Sequence, residues 1–275
     1  MVKYEGSKML KVPFLLKHFP KKHGKFVEVF GGMGWLTLLK KPSKVDVWND
    51  IDNNLYSVFY VLATNPDALL HRIEYTPMSR QVYEWAKEVV KSEGGYSMED
   101  RAFATLYVLA VSFPARLYGN SFISNCRVSM NDWQLIRRKI WYVINRLKDV
   151  VIEHKDWSWM LAHYNCPTTL LFLDPPYVDT TQRYKHQFTQ ENLSDLLDVL
   201  VGHKGYFMMT YSGNKYLLEF AKKHGWVVQE IPQPKKTISK KYAKDYLITN
   251  YDEFITWDYN EGVEVFETRN FKLRR

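Results

Sequence analysis

The chain has 275 residues, of which 46% are hydrophobic and 25% charged, a balance that excludes a disordered or fibrous polypeptide. Lysine and arginine outnumber aspartate and glutamate by 38 to 30, a net charge of +8. Basic clusters in a chain with 16% aromatic residues suit a nucleic-acid partner, whose phosphates pair with cations and whose bases stack on rings, although a solvated basic surface has the same composition. The two cysteines, Cys126 and Cys166, are too few for a disulfide framework or a zinc site, and the histidines show no ligand spacing. Apolar runs fall well short of the roughly 18 residues that argue for a membrane span. The expectation is a cytoplasmic protein with no metal and no membrane contact.

Taken in chain order, residues 25–30 read as a buried strand that closes in Phe30-Gly31-Gly32-Met33-Gly34, with a helix beginning near Trp35. A second strand, 45–48, ends in Asn49-Asp50. Residues 55–64, 66–73, 79–91, 97–113 and 130–148 then read as helices, with Ser97 and Asp100 spaced as a capping box. A polar loop from Pro114 to Ser121 separates the last two. Strands return at 150–153, 169–173, 206–210, 226–231, 246–250 and 253–257, with helices at 190–201 and 214–224. Gly202 and Gly225 follow those helices where a left-handed C-cap is wanted. Strand–helix alternation on both sides of a helical block predicts an α/β fold, a Rossmann-like doubly wound mixed sheet interrupted by a mainly helical insertion. The expected division is a first unit of residues 1–54 plus 165–275 and a helical unit of residues 55–164.

Two motifs carry chemistry. The glycine turn after the first strand would let a nucleotide approach the backbone, yet it matches neither a dinucleotide fingerprint nor a P-loop, and a tight structural turn explains it equally well. Asp50 ends the next strand, where an acid binds ribose hydroxyls in doubly wound nucleotide sites or, alternatively, caps a helix. Asp174-Pro175-Pro176-Tyr177 follows an apolar strand and so lies at the carboxyl end of the sheet. Pro175 and Pro176 remove two amide donors and stiffen the turn. A carboxylate, a carbonyl and a tyrosine ring then meet where an amino group can be accepted and its base stacked.

Phe-x-Gly-x-Gly after one strand and Asp-Pro-Pro-Tyr after a later one resemble the S-adenosylmethionine-dependent amino-methyltransferases. With Tyr4-x-Gly6-Ser7-Lys8 ahead of both, and the helical insertion between them, the order resembles the Dam-like class of N(6)-adenine DNA methyltransferases. That resemblance implies transfer of the methyl group of S-adenosyl-L-methionine to the amino group of an adenine flipped out of double-stranded DNA, by a monomer, in restriction–modification or a related role. It implies that Tyr4, Gly6 and Lys8 line the cofactor pocket, with Lys8 near the methionine carboxylate. Glu28, Phe30, Gly32 and Gly34 would surround the methionine moiety, and Asp50 with its neighbour Ile51 the ribose. Asp174 would accept a hydrogen bond from the target amine at the edge of the cofactor pocket, the Pro175 carbonyl would accept a second beside Pro176, and Tyr177 would stack on the base.

Aspartate at position 174 favours adenine over amino-cytosine, and the Asp-Pro-Pro-Tyr spelling disfavours ribosomal-RNA adenine dimethylases. A catalytically silent DNA-binding relative is the third alternative. The stretch 113–127 departs from the pattern of members that read GATC. Within it Arg116, Asn120, Asn125 and Arg127 are candidate base-reading residues, because Arg and Asn make bidentate contacts in the major groove. Lys235 and Lys236 are candidate phosphate contacts.

Overall fold

The computed structural model describes residues 11–113, 117–118, 121–122, 131–178, 188–232 and 244–254. In chain order come α1 (Val12–Leu16), β1 (Lys25–Glu28), α2 (Trp35–Leu39), β2 (Val45–Asn49), α3 (Asn53–Thr64), α4 (Pro66–Tyr75), α5 (Arg80–Lys91) and α6 (Met98–Val111). The two-residue strands β3 (Ser112–Phe113) and β4 (Ser121–Phe122) follow, then α7 (Asn131–Leu147), β5 (Val150–Glu153), α8 (Trp157–His163) and β6 (Thr169–Leu173). The last elements are α9 (Gln190–Val201), β7 (Tyr206–Ser212), α10 (Lys215–Lys223), β8 (Val227–Glu230) and β9 (Asp245–Thr249).

Seven strands form one mixed sheet in the order β5-β2-β1-β6-β7-β9-β8. The first five are parallel, and β9 runs antiparallel between β7 and β8. This is the expected doubly wound α/β architecture. Side chains alternate between the two faces along each strand. Phe26, Trp48, Leu170, Phe172, Met208 and Leu247 enter one apolar layer, and Val27, Val47, Leu171, Leu173, Phe207, Met209 and Ile248 the other. Both layers are covered by helices, which is why the central strands are apolar without a break. Leu55 of α3, Val89 of α5, Leu106 of α6 and Ile140 of α7 share the first layer with Phe26 and Trp48, so the helical block and one face of the sheet have a common core. Leu161 of α8, Leu196 of α9 and Leu217 of α10 fill the second. β5, which lies within the 55–164 block, is hydrogen-bonded into the main sheet beside β2, from Asp46↔Val150 to Asn49↔Glu153.

Several local expectations are corrected. Ser97 caps α6, its hydroxyl accepting the Asp100 amide at 3.0 Å and donating to Asp100 Oδ2 at 3.0 Å, while Asp100 Oδ1 accepts Arg72 Nη1 at 2.7 Å. The reciprocal capping box forms instead at α9, between Thr189 and Asn192. Gly225 is left-handed, whereas Gly202 has a φ of −91° and closes α9 in an ordinary conformation. α6 stops at Val111, because Ser112 and Phe113 turn out to pair with β4. The segment expected as a strand at 253–257 starts with no ladder; Phe254 makes only an isolated bridge to Pro20, and 255–257 lie outside the described residues. α8 was not anticipated from the sequence. Asp156 starts it, accepting the Ser158 amide at 2.9 Å.

A charged group lies under the amino-terminal end of β2. Asp46 is only 2% exposed and binds Lys40 Nζ at 2.6 Å and Arg146 Nη2 through its two oxygens. Burial pulls the Lys40 ammonium down to about 8, opposed by the Asp46 charge. The residue that ends α2 is thereby tied to β2 and α7 at the base of the sheet.

Among the described residues no helix is long and apolar enough to cross a membrane, and no group of three or more His, Cys, Asp or Glu is placed to hold a metal ion.

Candidate active site

β1 pairs with β2 on one side and with β6 on the other, so successive strands leave β1 in opposite directions. That is the topological switch point, and in open α/β sheets the crevice beyond the carboxyl ends of such strands is the ligand site. The turns that leave β1 and β6 are the glycine turn and the Asp-Pro-Pro-Tyr turn. Two motifs far apart in the chain therefore flank one crevice.

The glycine turn is held from below by β2. Gly31 donates its amide to the Asn49 carbonyl at 2.7 Å, Gly34 to Gly31 at 2.8 Å, and Gly32 to Asp50 Oδ2 at 2.7 Å. Gly34 has a φ of 62°, a conformation that disfavours any side chain. Gly31 is constrained by space: a Cβ there would stand 2.2 Å from Trp48 Nε1 and 2.7 Å from the Asn49 carbonyl oxygen. Because one of those neighbours is backbone, Gly31→Ala is expected to displace the turn, at about 1–3 kcal/mol by urea denaturation.

Asp50 accepts two amides, Gly32 on Oδ2 and Asp52 on Oδ1 at 2.8 Å. It does not cap α3; Asp52 does, accepting the Asn54 amide at 2.8 Å. Burial, reinforced by the Asp52 charge, pushes the Asp50 carboxyl up to about 7. Ile51 beside it is 38% exposed. Glu28, at the end of β1, is buried and accepts the Thr37 amide at 3.0 Å as well as the Thr37 hydroxyl. Burial pushes it up to about 7, and the charge of Asp174 adds to the rise. Phe30 turns toward the second apolar layer, packing edge-on against Phe188 with ring centres 5.8 Å apart.

On the β6 side, Asp174 accepts the Thr210 hydroxyl on Oδ1 at 2.6 Å. Pro175 and Pro176 carry the chain on to Tyr177, whose ring lies 4.9 Å from that of Tyr211 and whose hydroxyl reaches Asp245 Oδ1 at 3.5 Å. Asp245 also holds Lys11, and the Tyr211 hydroxyl accepts the Val178 amide at 3.1 Å. Strands β7 and β9 thus brace the turn from the side.

The crevice brings together Glu28, Phe30, Gly32, Gly34, Asp50, Ile51 and the Asp174–Tyr177 turn. Tyr4, Gly6, Lys8, Arg116, Asn120, Asn125, Arg127, Lys235 and Lys236 lie outside the described residues. Sequence reading missed the turn after β5. His154 reaches the Asp50 carbonyl through Nδ1 at 2.8 Å and stacks on Tyr56, with ring centres 4.5 Å apart. Asn49 donates to the carbonyls of Val29 at 2.8 Å and Lys155 at 3.0 Å, joining the ends of β1, β2 and β5. A strand followed by His154-Lys155-Asp156 was a visible signal for a third wall of the crevice.

A model of the D12 class N6 adenine-specific DNA methyltransferases matches residues 4–239. The modification methylase LlaI of Lactococcus lactis subsp. lactis is 25% identical over 273 residues, an alignment that covers 91% of this chain and 43% of that protein. The chain thus spans less than half the length of this relative. A conserved hypothetical protein of Streptococcus pyogenes aligns with a TM-score of 0.33 at 9% identity, covering 88% of this chain and 93% of its own. A Clostridium thermocellum protein provisionally described as an rRNA methylase aligns with a TM-score of 0.39 at 11% identity, covering 93% and 100%. With the family model matched across both motifs and everything between them, the chain belongs to the D12 class N6 adenine-specific DNA methyltransferase family.

Proposed function

We propose that the protein transfers the methyl group of S-adenosyl-L-methionine to the exocyclic amino group of an adenine flipped out of double-stranded DNA. The observation that carries this reading is the meeting of the glycine turn and the Asp-Pro-Pro-Tyr turn at one switch-point crevice. The residues present fit the cofactor. A carboxylate at the end of β2 suits ribose hydroxyls, and the glycines of the Gly31–Gly34 turn let its backbone pack directly on Trp48, Asn49 and Phe59, which holds the turn at the edge of the crevice.

S-adenosylmethionine supplies an electrophilic sulfonium methyl group when bound. The adenine amine is a poor nucleophile, because its lone pair is delocalised into the ring. Asp174 and the Pro175 carbonyl each accept one of its hydrogens, which favours a tetrahedral nitrogen and aims the lone pair at the methyl carbon. Tyr177 stacks on the base and holds its plane. The amine loses a proton once the new bond forms, and Asp174 is the acceptor at hand. Most of the acceleration in such a site comes from positioning and electrostatics. We also assign target recognition to the helical insertion carried by α3–α7, with Arg116, Asn120, Asn125 and Arg127 reading bases, Lys235 and Lys236 on phosphates, and Tyr4, Gly6 and Lys8 closing the cofactor pocket.

The test is radiolabelled S-adenosylmethionine with mixed-sequence duplex DNA, followed by nucleoside analysis. Labelled N(6)-methyldeoxyadenosine is expected. Labelled methylcytosine overturns the adenine assignment, and label in RNA alone overturns the substrate.

A pH dependence follows from Asp50. A ribose hydroxyl donates to the carboxylate form, and burial holds that carboxyl at about 7 in the cofactor-free protein. Above pH 7 the site is ready. Below it a proton must leave before the ribose binds, so cofactor affinity is expected to fall by up to tenfold per pH unit between pH 7 and 5. Calorimetric titration with S-adenosylmethionine checks this, and a flat profile removes Asp50 from the ribose contact.

A further inference from the structure

Thr210 is fully buried, at 0% exposure, with apolar side chains as its immediate strand neighbours. Phe172 and Met208 line the same face, and Leu247 stands opposite Thr210 in the β7–β9 ladder. A valine of the same shape would suit those neighbours. What valine lacks is the hydroxyl, and that hydroxyl donates to Asp174 Oδ1 at 2.6 Å. The placement is set by the sheet: Leu173 pairs with Met209, so the next residues, Asp174 and Thr210, stand side by side on one face. Threonine, branched at Cβ, has little freedom at χ1, and a strand interior fixes its backbone as well.

We infer that Thr210 is a positioning residue for methyl transfer, holding the Asp174 carboxylate in the orientation that accepts the target amine. This rests on the methyltransferase reading above. A carboxylate at a strand end can rotate about two side-chain bonds, and a donor on one oxygen selects one rotamer. Thr210 touches neither adenine nor cofactor in this scheme and acts only through Asp174.

The test separates hydroxyl from shape. Thr210→Val keeps the volume and loses the donor; Thr210→Ser keeps the donor and loses a buried methyl. The single-turnover rate of methyl transfer from labelled S-adenosylmethionine to duplex DNA is measured for both, beside urea stability, DNA affinity and cofactor affinity. The valine variant is expected to transfer about ten- to a hundredfold more slowly, with both affinities within about threefold of the parent. The serine variant is expected to be the less stable of the two and yet to transfer within about threefold of the parent. If the rates follow stability instead, with serine the slower variant, or if valine transfers at the parental rate, the inference is overturned. Should the valine variant not fold, Thr210→Ala against Thr210→Ser repeats the comparison, since they differ only by the hydroxyl. Combined with Asp174→Ala, which removes the acceptor, Thr210→Val is expected to cause no further loss, and an additive loss overturns the inference. A parent protein that labels no DNA refutes the methyltransferase reading itself, a result distinct from parental transfer that is indifferent to position 210.

Discussion

Replacing Asp174 by alanine is expected to lower the rate of methyl transfer at least about a thousandfold while leaving cofactor affinity within about tenfold. The size follows from what the carboxylate does. It is the one charged acceptor in the turn, held at 2.6 Å by Thr210 and facing the crevice between β1 and β6. On the proposed reading its removal leaves the Pro175 carbonyl as the one acceptor for the target amine, too little to pull the nitrogen out of conjugation. On the proposed reading the cofactor keeps the glycine turn and Asp50, whose hydrogen bonds to one another and to Asn49 do not involve Asp174. Single-turnover kinetics with labelled S-adenosylmethionine, beside calorimetric binding, check both halves. A variant that loses cofactor binding as completely as activity would show that Asp174 belongs to the cofactor pocket. Asp174→Asn is the companion variant: it keeps the shape of the side chain, removes the charge, and is expected to be nearly as slow.

The second large effect is on stability. Asp46→Ala is expected to cost about 3–5 kcal/mol in urea denaturation. The alanine would leave Lys40, 2% exposed, and Arg146, 8% exposed, buried together without the carboxylate that both of them contact. Burial already draws the Lys40 ammonium down to about 8 against the pull of Asp46, so without the aspartate its proton leaves more readily still. Arg146 has no such escape, because a guanidinium keeps its charge. Replacing Lys40, Asp46 and Arg146 together by apolar residues of similar volume is expected to recover most of the loss, since the cost lies in stranded charge and not in a missing contact. If the single and triple variants are equally destabilised, packing is responsible and the ion pairs contribute little.

Much of the molecule was legible before any coordinates. The strands that became β1, β2, β6 and β7 are short apolar runs closed by Gly, Asn-Asp or Asp-Pro-Pro, and these are local signals. The two motifs could be read because glycine and proline act on the backbone of their own turn, whatever surrounds them. α8 was missed because seven residues, only two of them core side chains, leave little helical periodicity to read. The end of α6 was misplaced because the strand-like pairing of Ser112 and Phe113 depends on Ser121 and Phe122, which the helical pattern does not contain. Gly202 looked like a left-handed cap by position alone, although position does not set its φ.

The amino-acid order was enough for the α/β class, the glycine turn, the Asp-Pro-Pro-Tyr turn and the acid at the end of the second strand, since each rests on chemistry within a few consecutive residues. Folding decided the rest. That β1 lies between β2 and β6, that Thr210 faces Asp174, that Asp245 reaches Tyr177 and that Arg146 finds Asp46 are contacts between segments tens to hundreds of residues apart. Apolar strands resemble one another too closely for their pattern to say which will pair, and a polar side chain shows its partner only once the register between strands is set.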